Sequence, residues 1–312
     1  MKKAEARPRE KTIDCLFIGG STQDLLMRTE EIPKSDQRVQ ALEYTQCCGG
    51  VSATAAAAHQ EAGGVTGLIT IVGEDAAGEF ITQDLQSRKF SRTQIIKTSR
   101  SRSSVSMIQI DKKGSRSITH YGGCIYDLEF GMLDGELLES AGIIHLGVMD
   151  EKLMLEIAGF CRDRGILLSV DGGNLSGSLA EKLLPFTDIW ILDEGTVKKT
   201  LGMSPEDACR YYCGKGHEGI FTAVTMGGDG AVGYDGKDFI HMGSIQVPVV
   251  DTTGAGDNYH GAFLYGMGRG WSMERCMGFA GIFASLTCRE IGGRKGIPSL
   301  GEVMKYMEPS DI

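Results

Sequence analysis

Short apolar runs alternate with helical patterns along most of this 312-residue chain. Runs at 13–18, 65–72, 143–146, 166–170, 189–192 and 221–225 are nearly continuous in apolar residues and too short for helices. They predict strands buried on both faces. Between them, 52–62, 76–88, 152–164, 179–184 and 205–213 carry apolar residues at helical spacing. This alternation predicts an α/β fold with a central, mostly parallel sheet flanked by helices. Two later segments, 253–269 and 273–289, also read as helices, and their Gly, Ala and Phe content permits close packing on a sheet.

Two regions break the rhythm. Residues 38–47 and 103–121 look extended, with no helix between their halves. The second reads as a hairpin: strand 105–111, a Lys112-Lys113-Gly114 turn, then strand 116–121. Together they predict a small β-sheet lid, inserted at roughly 36–48 and 99–124 into a single domain spanning 1–312. Within 104–111, Val105 and Met107 fall on one face while Ile108 and Ile110 fall on the other. A one-layer lid needs a single apolar face, so the second face predicts a homodimer joined lid to lid.

Composition narrows the field. Forty-four glycines punctuate short segments, but there is no fixed period and only seven prolines, which excludes collagen-like chains. A formal net charge of −9 argues against a nucleic-acid partner. Nine scattered cysteines without a Cys-x-x-Cys pair read as small buried hydrophobes in a reducing compartment. The N-terminus is charged and lacks an apolar core, and no apolar run reaches membrane-spanning length, so the expected location is cytoplasmic with no membrane contact.

The chemistry concentrates in Asp251-Thr252-Thr253-Gly254-Ala255-Gly256-Asp257, which runs into a helical pattern. The small residues Gly254, Ala255 and Gly256 let backbone amides crowd around an anion at a helix start. Asp257 then sits where a proton must be removed, so one element supplies an anion hole and a base. A second glycine-rich segment, Thr225-Met226-Gly227-Gly228-Asp229-Gly230, follows a strand. Gly228, Gly230 and Gly233 spell G-x-G-x-x-G, but Tyr234-Asp235-Gly236-Lys237 continues as a hairpin, which excludes a Rossmann fingerprint; no Walker A sequence occurs. His260 falls three residues after Asp257 and reads as a packed histidine flanking the site, while the other five histidines lack metal-ligand spacing.

The stretch 251–257 matches the DTxGAGD signature, and most of the chain resembles the ribokinase-like (PfkB-type) carbohydrate kinases, closest in pattern to the ketohexokinase and sulfofructose kinase branch. The resemblance implies ATP-dependent phosphotransfer to a sugar hydroxyl, with Asp257 as base and the 254–256 amides as anion hole. It places Asp193, Thr225, Gly227 and Gly230 beside ATP, and Glu194 in the water shell of Mg²⁺. The usual Asn-x-x-Glu is replaced here by Asp193-Glu194-Gly195-Thr196. Asp251, Thr253 and the loop 288–296 resemble a monovalent cation site, which implies K⁺. For the acceptor, the resemblance implies Asp24, the Gly49-Gly50 hinge, Thr54 where relatives often have Asn, and Asn174, which with Asp171 matches positions near the transferred phosphate, although the Arg often found just after is missing. Gly147-Val148-Met149-Asp150 lacks the Arg that the resemblance to sulfofructose kinase would place there for a sulfonated sugar, which leaves Arg100, Arg102 and Arg116 as the residues that could reach in; a neutral sugar is expected, a ketose such as fructose slightly ahead of ribose. A nucleoside kinase shares the fold and signature, with Tyr44, His120 and Tyr121 as candidate stacking groups. A catalytically idle sugar-binding regulator is the alternative outside enzymes, and the intact Asp257 loop argues against it.

Overall fold

The computed structural model describes residues 11–307, apart from 113, 115 and 174. Nine strands form the main sheet. They are β1 (Ile13–Ile18), β4 (Thr66–Gly73), β5 (Arg92–Thr98), β8 (Ala141–Leu146), β9 (Leu167–Asp171), β10 (Ile189–Asp193), β11 (Phe221–Thr225), β12 (Ala231–Tyr234) and β13 (Phe239–Met242). Their spatial order is β13-β12-β11-β10-β9-β8-β1-β4-β5. All neighbours from β11 to β5 pair in parallel, whereas β11–β12 and β12–β13 pair antiparallel. Every residue of β4 is buried, as its near-continuous apolar sequence requires of a strand covered on both sides.

Helices cover the two faces. On one face lie α1 (Val51–Glu61), α2 (Ala76–Ser87), α8 (Ala255–Gly268) and α9 (Met273–Thr287), which bury Ala56, Leu85, Phe263 and Phe279. On the other lie α3 (Gly135–Ser140), α4 (Glu151–Arg164), α5 (Gly177–Leu183), α6 (Glu194–Thr200) and α7 (Pro205–Lys215), which bury Leu137, Ile157, Leu183, Val197 and Cys209. A short α10 (Leu300–Val303) packs beside α9. Most cysteines are buried among apolar side chains, and none of those described is paired.

The lid is a separate four-stranded sheet: β2 (Thr22–Thr29), β3 (Ala41–Gly49), β6 (Ser104–Ile110) and β7 (Arg116–Tyr121), in the order β3-β2-β6-β7. The hairpin expected at 103–121 is β6–β7, although Lys113 of its turn lies outside the described residues. Sequence reading missed β2. Its residues Thr-Gln-Asp-Leu-Leu-Met-Arg-Thr break alternation at Leu25-Leu26, and its inward positions mix Asp24 with Leu26. One face of the lid turns inward, burying Leu26, Ile108 and Ile110 against Cys47 and Ile291.

Candidate active site

Strand ends of the main sheet and the inner face of the lid meet at one cleft. The acceptor side is built from the hinge. β3 ends at Gly49, and Gly50 caps α1 with φ of 97°. A Cβ on Gly49 would lie 2.0 Å from Asp24 Oδ2, so only glycine lets that carboxylate occupy its place. Asp24 is 5% exposed and receives a hydrogen bond from Ser106, its neighbour across β2 and β6. Burial pushes its pKa up to about 6 against the pull of Ser106 and Arg294.

The transfer side is built from α8. Gly254 caps the helix in the left-handed region (φ 74°, ψ 4°), and a Cβ there would meet Gly293 Cα at 2.7 Å. Eight helices carry a side-chain N-cap: Asp75, Asp134, Asp150, Ser176, Asp193, Ser204, Ser272 and Ser299. The two described helices without one, α1 and α8, begin at the hinge and at the 254–256 loop. Their first-turn amides are thus left for a ligand. Asn258 secures the loop by donating to the carbonyls of Gly254 and Gly293, each at 2.7 Å.

Asp257 lies in the first turn of α8 and keeps an edge open to the cleft. Protein surrounds the rest of its carboxyl, and that desolvation, with the charges of Asp171 and Asp24, lifts its pKa to about 8; Arg294 and Arg116 pull the other way. Asp171 ends β9, has its own pKa raised by burial, accepts from Gly173 N at 2.8 Å and lies 3.7 Å from His260 Nε2. His260 is itself buried, with its pKa lowered by desolvation. It is the packed flanking histidine expected from its position one turn beyond Asp257.

An ionised Asp257 is thus costly to the folded state. Its folded pKa exceeds the unfolded value near 3.8, so the folded protein binds more protons between the two and stability falls as pH rises through that window. Asp257→Asn should therefore melt higher than wild type at pH 8, by about 1–3 kcal/mol given the solvent-open edge. Thermal melts at pH 5 and pH 8 check the sign: the difference should shrink at the lower pH.

The nucleotide side is a cleft beside β11 and α9. Thr225, Gly227, Gly230, Ala231, Met277 and Ala284 line it, and Ala255 and Gly256 close its inner end against the α8 start. Its flat apolar walls and bare backbone fit a purine and its phosphates. Asp193 caps α6 through Thr196 N and Oγ1, at 2.9 and 2.6 Å. Glu194 Oε1 lies 2.8 Å from Lys198 Nζ. Carboxylates of Asp171 and Asp193 converge on Gly173, where a Cβ would stand 2.9 and 3.6 Å from them. This acidic rim at the strand ends is formed by Asp171 and Asp193; a hydrated Mg²⁺ there would be held through water, with Glu194 the residue that the resemblance in sequence implies for its water shell. When bound, that ion would neutralise phosphate charge. Asp251 is 5% exposed and accepts from Thr253 N, Thr253 Oγ1 and Gly292 N at 2.9, 2.7 and 2.8 Å. It ties the anion-hole loop to the 288–296 loop where K⁺ was expected.

Cleft and loop thus bring together Asp24, Gly49, Gly50, Thr54, Gly254, Ala255, Gly256 and Asp257, with Thr225, Gly227 and Gly230 on the nucleotide side. Asn174 lies outside the described residues. Sequence reading missed Arg294. The residue is 6% exposed, and its guanidinium donates to Thr54 Oγ1 (3.2 Å), Asp84 Oδ2 (2.6 Å) and the Gly49 carbonyl. It straps the 288–296 loop to the hinge and holds Thr54 at the acceptor pocket. A basic residue in a glycine-rich loop reads as solvated, and only the fold reveals its buried partners.

A base set beside an open helix N-terminus, with an acceptor pocket on one side and a nucleotide cleft on the other, defines a nucleotide-dependent phosphotransferase. The pfkB family carbohydrate kinase model matches residues 12–300, and the chain belongs to that family; it is a carbohydrate kinase. It is 25% identical over 299 residues to a ribokinase of Lactococcus lactis, covering 95% of this chain and 97% of the relative. It is 25% identical over 305 residues to a deoxyribokinase of Salmonella typhi, covering 95% and 99%. Among solved structures, a putative ribokinase from Agrobacterium tumefaciens superposes with a TM-score of 0.83 at 26% identity, covering 93% of this chain and 96% of that one. The fold is accordingly ribokinase-like. No helix among the described residues is long and apolar enough to cross a membrane.

Proposed function

We propose that this kinase transfers the γ-phosphoryl group of ATP to a hydroxyl of a small neutral sugar, with a pentose such as ribose ahead of a ketohexose such as fructose. The observation that carries the reading is Asp257 in the first turn of an uncapped α8, facing the buried Asp24 and the double-glycine hinge. Asp24 would accept paired sugar hydroxyls. Asp257 would take the proton of the attacking hydroxyl, and the amides of the α8 start would stabilise the transferring group. The ribokinase and deoxyribokinase relatives tip the order from fructose to ribose. Register disfavours a nucleoside: Tyr44 and Tyr121 pair with Met27 and Val105 on the outer face of the lid, and only His120 faces inward, bonded to Ser106. A phosphorylation screen over ribose, deoxyribose, fructose, anionic sugars and nucleosides tests this. Efficient turnover of a nucleoside or an anionic sugar, with none of the neutral sugars, sinks it.

Two properties follow from the same reading. The outer lid face exposes Met107 (50%), Tyr44 (52%) and Tyr121 (54%), an apolar surface that a second copy of the lid would cover. Light scattering at micromolar concentration should give a dimer, and Met107→Glu should shift it to monomer. K⁺ held at Asp251 would order the loop that carries the anion hole. Rates in K⁺ should exceed rates in tetramethylammonium at matched ionic strength, and Asp251→Asn should erase the difference.

A further inference from the structure

Four consecutive residues of the 288–296 loop reach four different parts of the site. Ile291 packs on the inner face of the lid, against the cluster of Leu26, Ile108 and Ile110. Gly292 donates its amide to Asp251, and a Cβ on it would stand 3.0 Å from Cys47 Sγ on lid strand β3. Gly293 presses on the anion-hole loop: a Cβ on Gly254 would meet its Cα at 2.7 Å, and its carbonyl accepts from Asn258. Arg294 then crosses to the hinge and donates to Thr54, Asp84 and the Gly49 carbonyl.

The three acceptors of Arg294 lie on both sides of the hinge. Gly49 ends lid strand β3, with its Cα against the Asp24 carboxylate. Thr54 in α1 and Asp84 in α2 belong to the main domain. A planar guanidinium spans all of them at once, which a point charge cannot do. Charge pairing does not account for this arrangement. Asp84 already accepts from Arg88 at 3.1 Å, and Gly49 and Thr54 carry no charge to neutralise. Their bonds fix distance and direction. We propose that Arg294 is a positioning residue that keeps the acceptor hinge and the anion-hole loop in register, so that the γ-phosphoryl group meets a sugar hydroxyl and not water. The inference rests on the sugar-kinase reading above. In productive turnover the acceptor oxygen bonds to the γ-phosphorus, the bond to the β–γ bridging oxygen breaks with its electron pair leaving on ADP, and the hydroxyl proton goes to Asp257. Without the register, a water oxygen forms that bond instead. The same electron pair leaves with ADP, the water proton goes to Asp257, and inorganic phosphate is the product. A held sugar loses about 100-fold in rate when misplaced by about 1 Å, whereas a small, mobile water reorients to follow the phosphoryl group. Arg294 touches neither substrate and acts through Gly49 on one side and Gly293 on the other.

The test compares Arg294→Met, Arg294→Lys and Asp84→Asn with wild type. ADP and sugar phosphate are both measured, with ribose or fructose as acceptor. Arg294→Met should lower sugar phosphorylation about 30-fold or more, while acceptor-free ATP hydrolysis and the KM for ATP stay within about threefold. ADP should then form in excess over sugar phosphate, whereas wild type forms them in equal amounts. Loss of folded protein would lower both reactions together. Arg294→Lys reaches fewer of the acceptors and should restore part of the transfer; if Arg294→Met does not fold, the excess of ADP is read in this variant. Asp84→Asn removes the charge pair but keeps the bonds to Gly49 and Thr54, so it should melt lower and still form the two products equally. Amide exchange reads the same link without an acceptor. The amides of Thr54, Ala255 and Asn258, bonded to the carbonyls of Gly50, Thr252 and Gly254, should exchange about tenfold faster in Arg294→Met, while those within α9 keep their rates. The proposal falls if transfer and hydrolysis drop together, if transfer stays near wild type, or if Asp84→Asn leaks as much ADP. Should wild type phosphorylate neither sugar, the sugar reading fails, and exchange alone decides on Arg294: unchanged protection at Ala255 and Asn258 overturns it.

Discussion

Asp257→Asn should leave the protein folded and able to bind nucleotide, yet lower kcat by about a thousandfold, within the 10²–10⁴ that general-base removal costs. The substitution keeps the shape of the side chain and removes its capacity to accept a proton. The pH profile separates this from a loss of positioning. Burial and the neighbouring acids hold Asp257 near a pKa of 8, and an acid with a raised pKa must ionise before it can act as a base. Wild-type kcat/KM should therefore climb as pH rises from 6 to 8, on a limb that belongs to the coupled Asp257, Asp171 and Asp24 cluster. The Asn variant should lose that limb and keep a low, flat rate. Near-wild-type turnover, or an unchanged acid limb, would remove Asp257 from the role of base.

The parts of this site that were legible in the sequence share one property: they are contiguous. Gly254 to Asp257, the proposed anion hole and base, fall within four residues, because a helix start needs only its own small residues to expose amides. Main-sheet strands were legible for a similar reason. Burial on both faces writes itself as an unbroken apolar run, as in β4 and β10. What was not legible depends on contacts distant in sequence. β2 is held by parallel pairing to β6, 82 residues from Thr22 to Ser104, and its inner face is half acid and half apolar. Arg294 reaches Gly49, 245 residues away. α6 begins on Asp193-Glu194, read as a strand end, because Asp193 is at once the last residue of β10 and a helix cap.

Asp24→Ala should act on acceptor binding and spare the nucleotide. A buried carboxylate that takes two hydroxyl donors contributes about 1.5–3 kcal/mol through each charge-assisted bond, so the acceptor KM should rise about 100-fold or more. KM for ATP should stay within about threefold, because Asp24 lies on the lid side of the hinge, away from the nucleotide cleft. Gly49→Ala provides the independent check, since it removes no functional group. Its Cβ would stand 2.0 Å from Asp24 Oδ2 and 2.8 Å from Cγ, so the carboxylate must rotate away from the position that the hinge leaves for it. The two variants should thus share one phenotype, a raised acceptor KM with ATP binding intact. Combining them should add little to either alone, because both act through the same side chain. If Gly49→Ala binds acceptor as wild type does, Asp24 is not the acceptor's anchor, whatever Asp24→Ala shows.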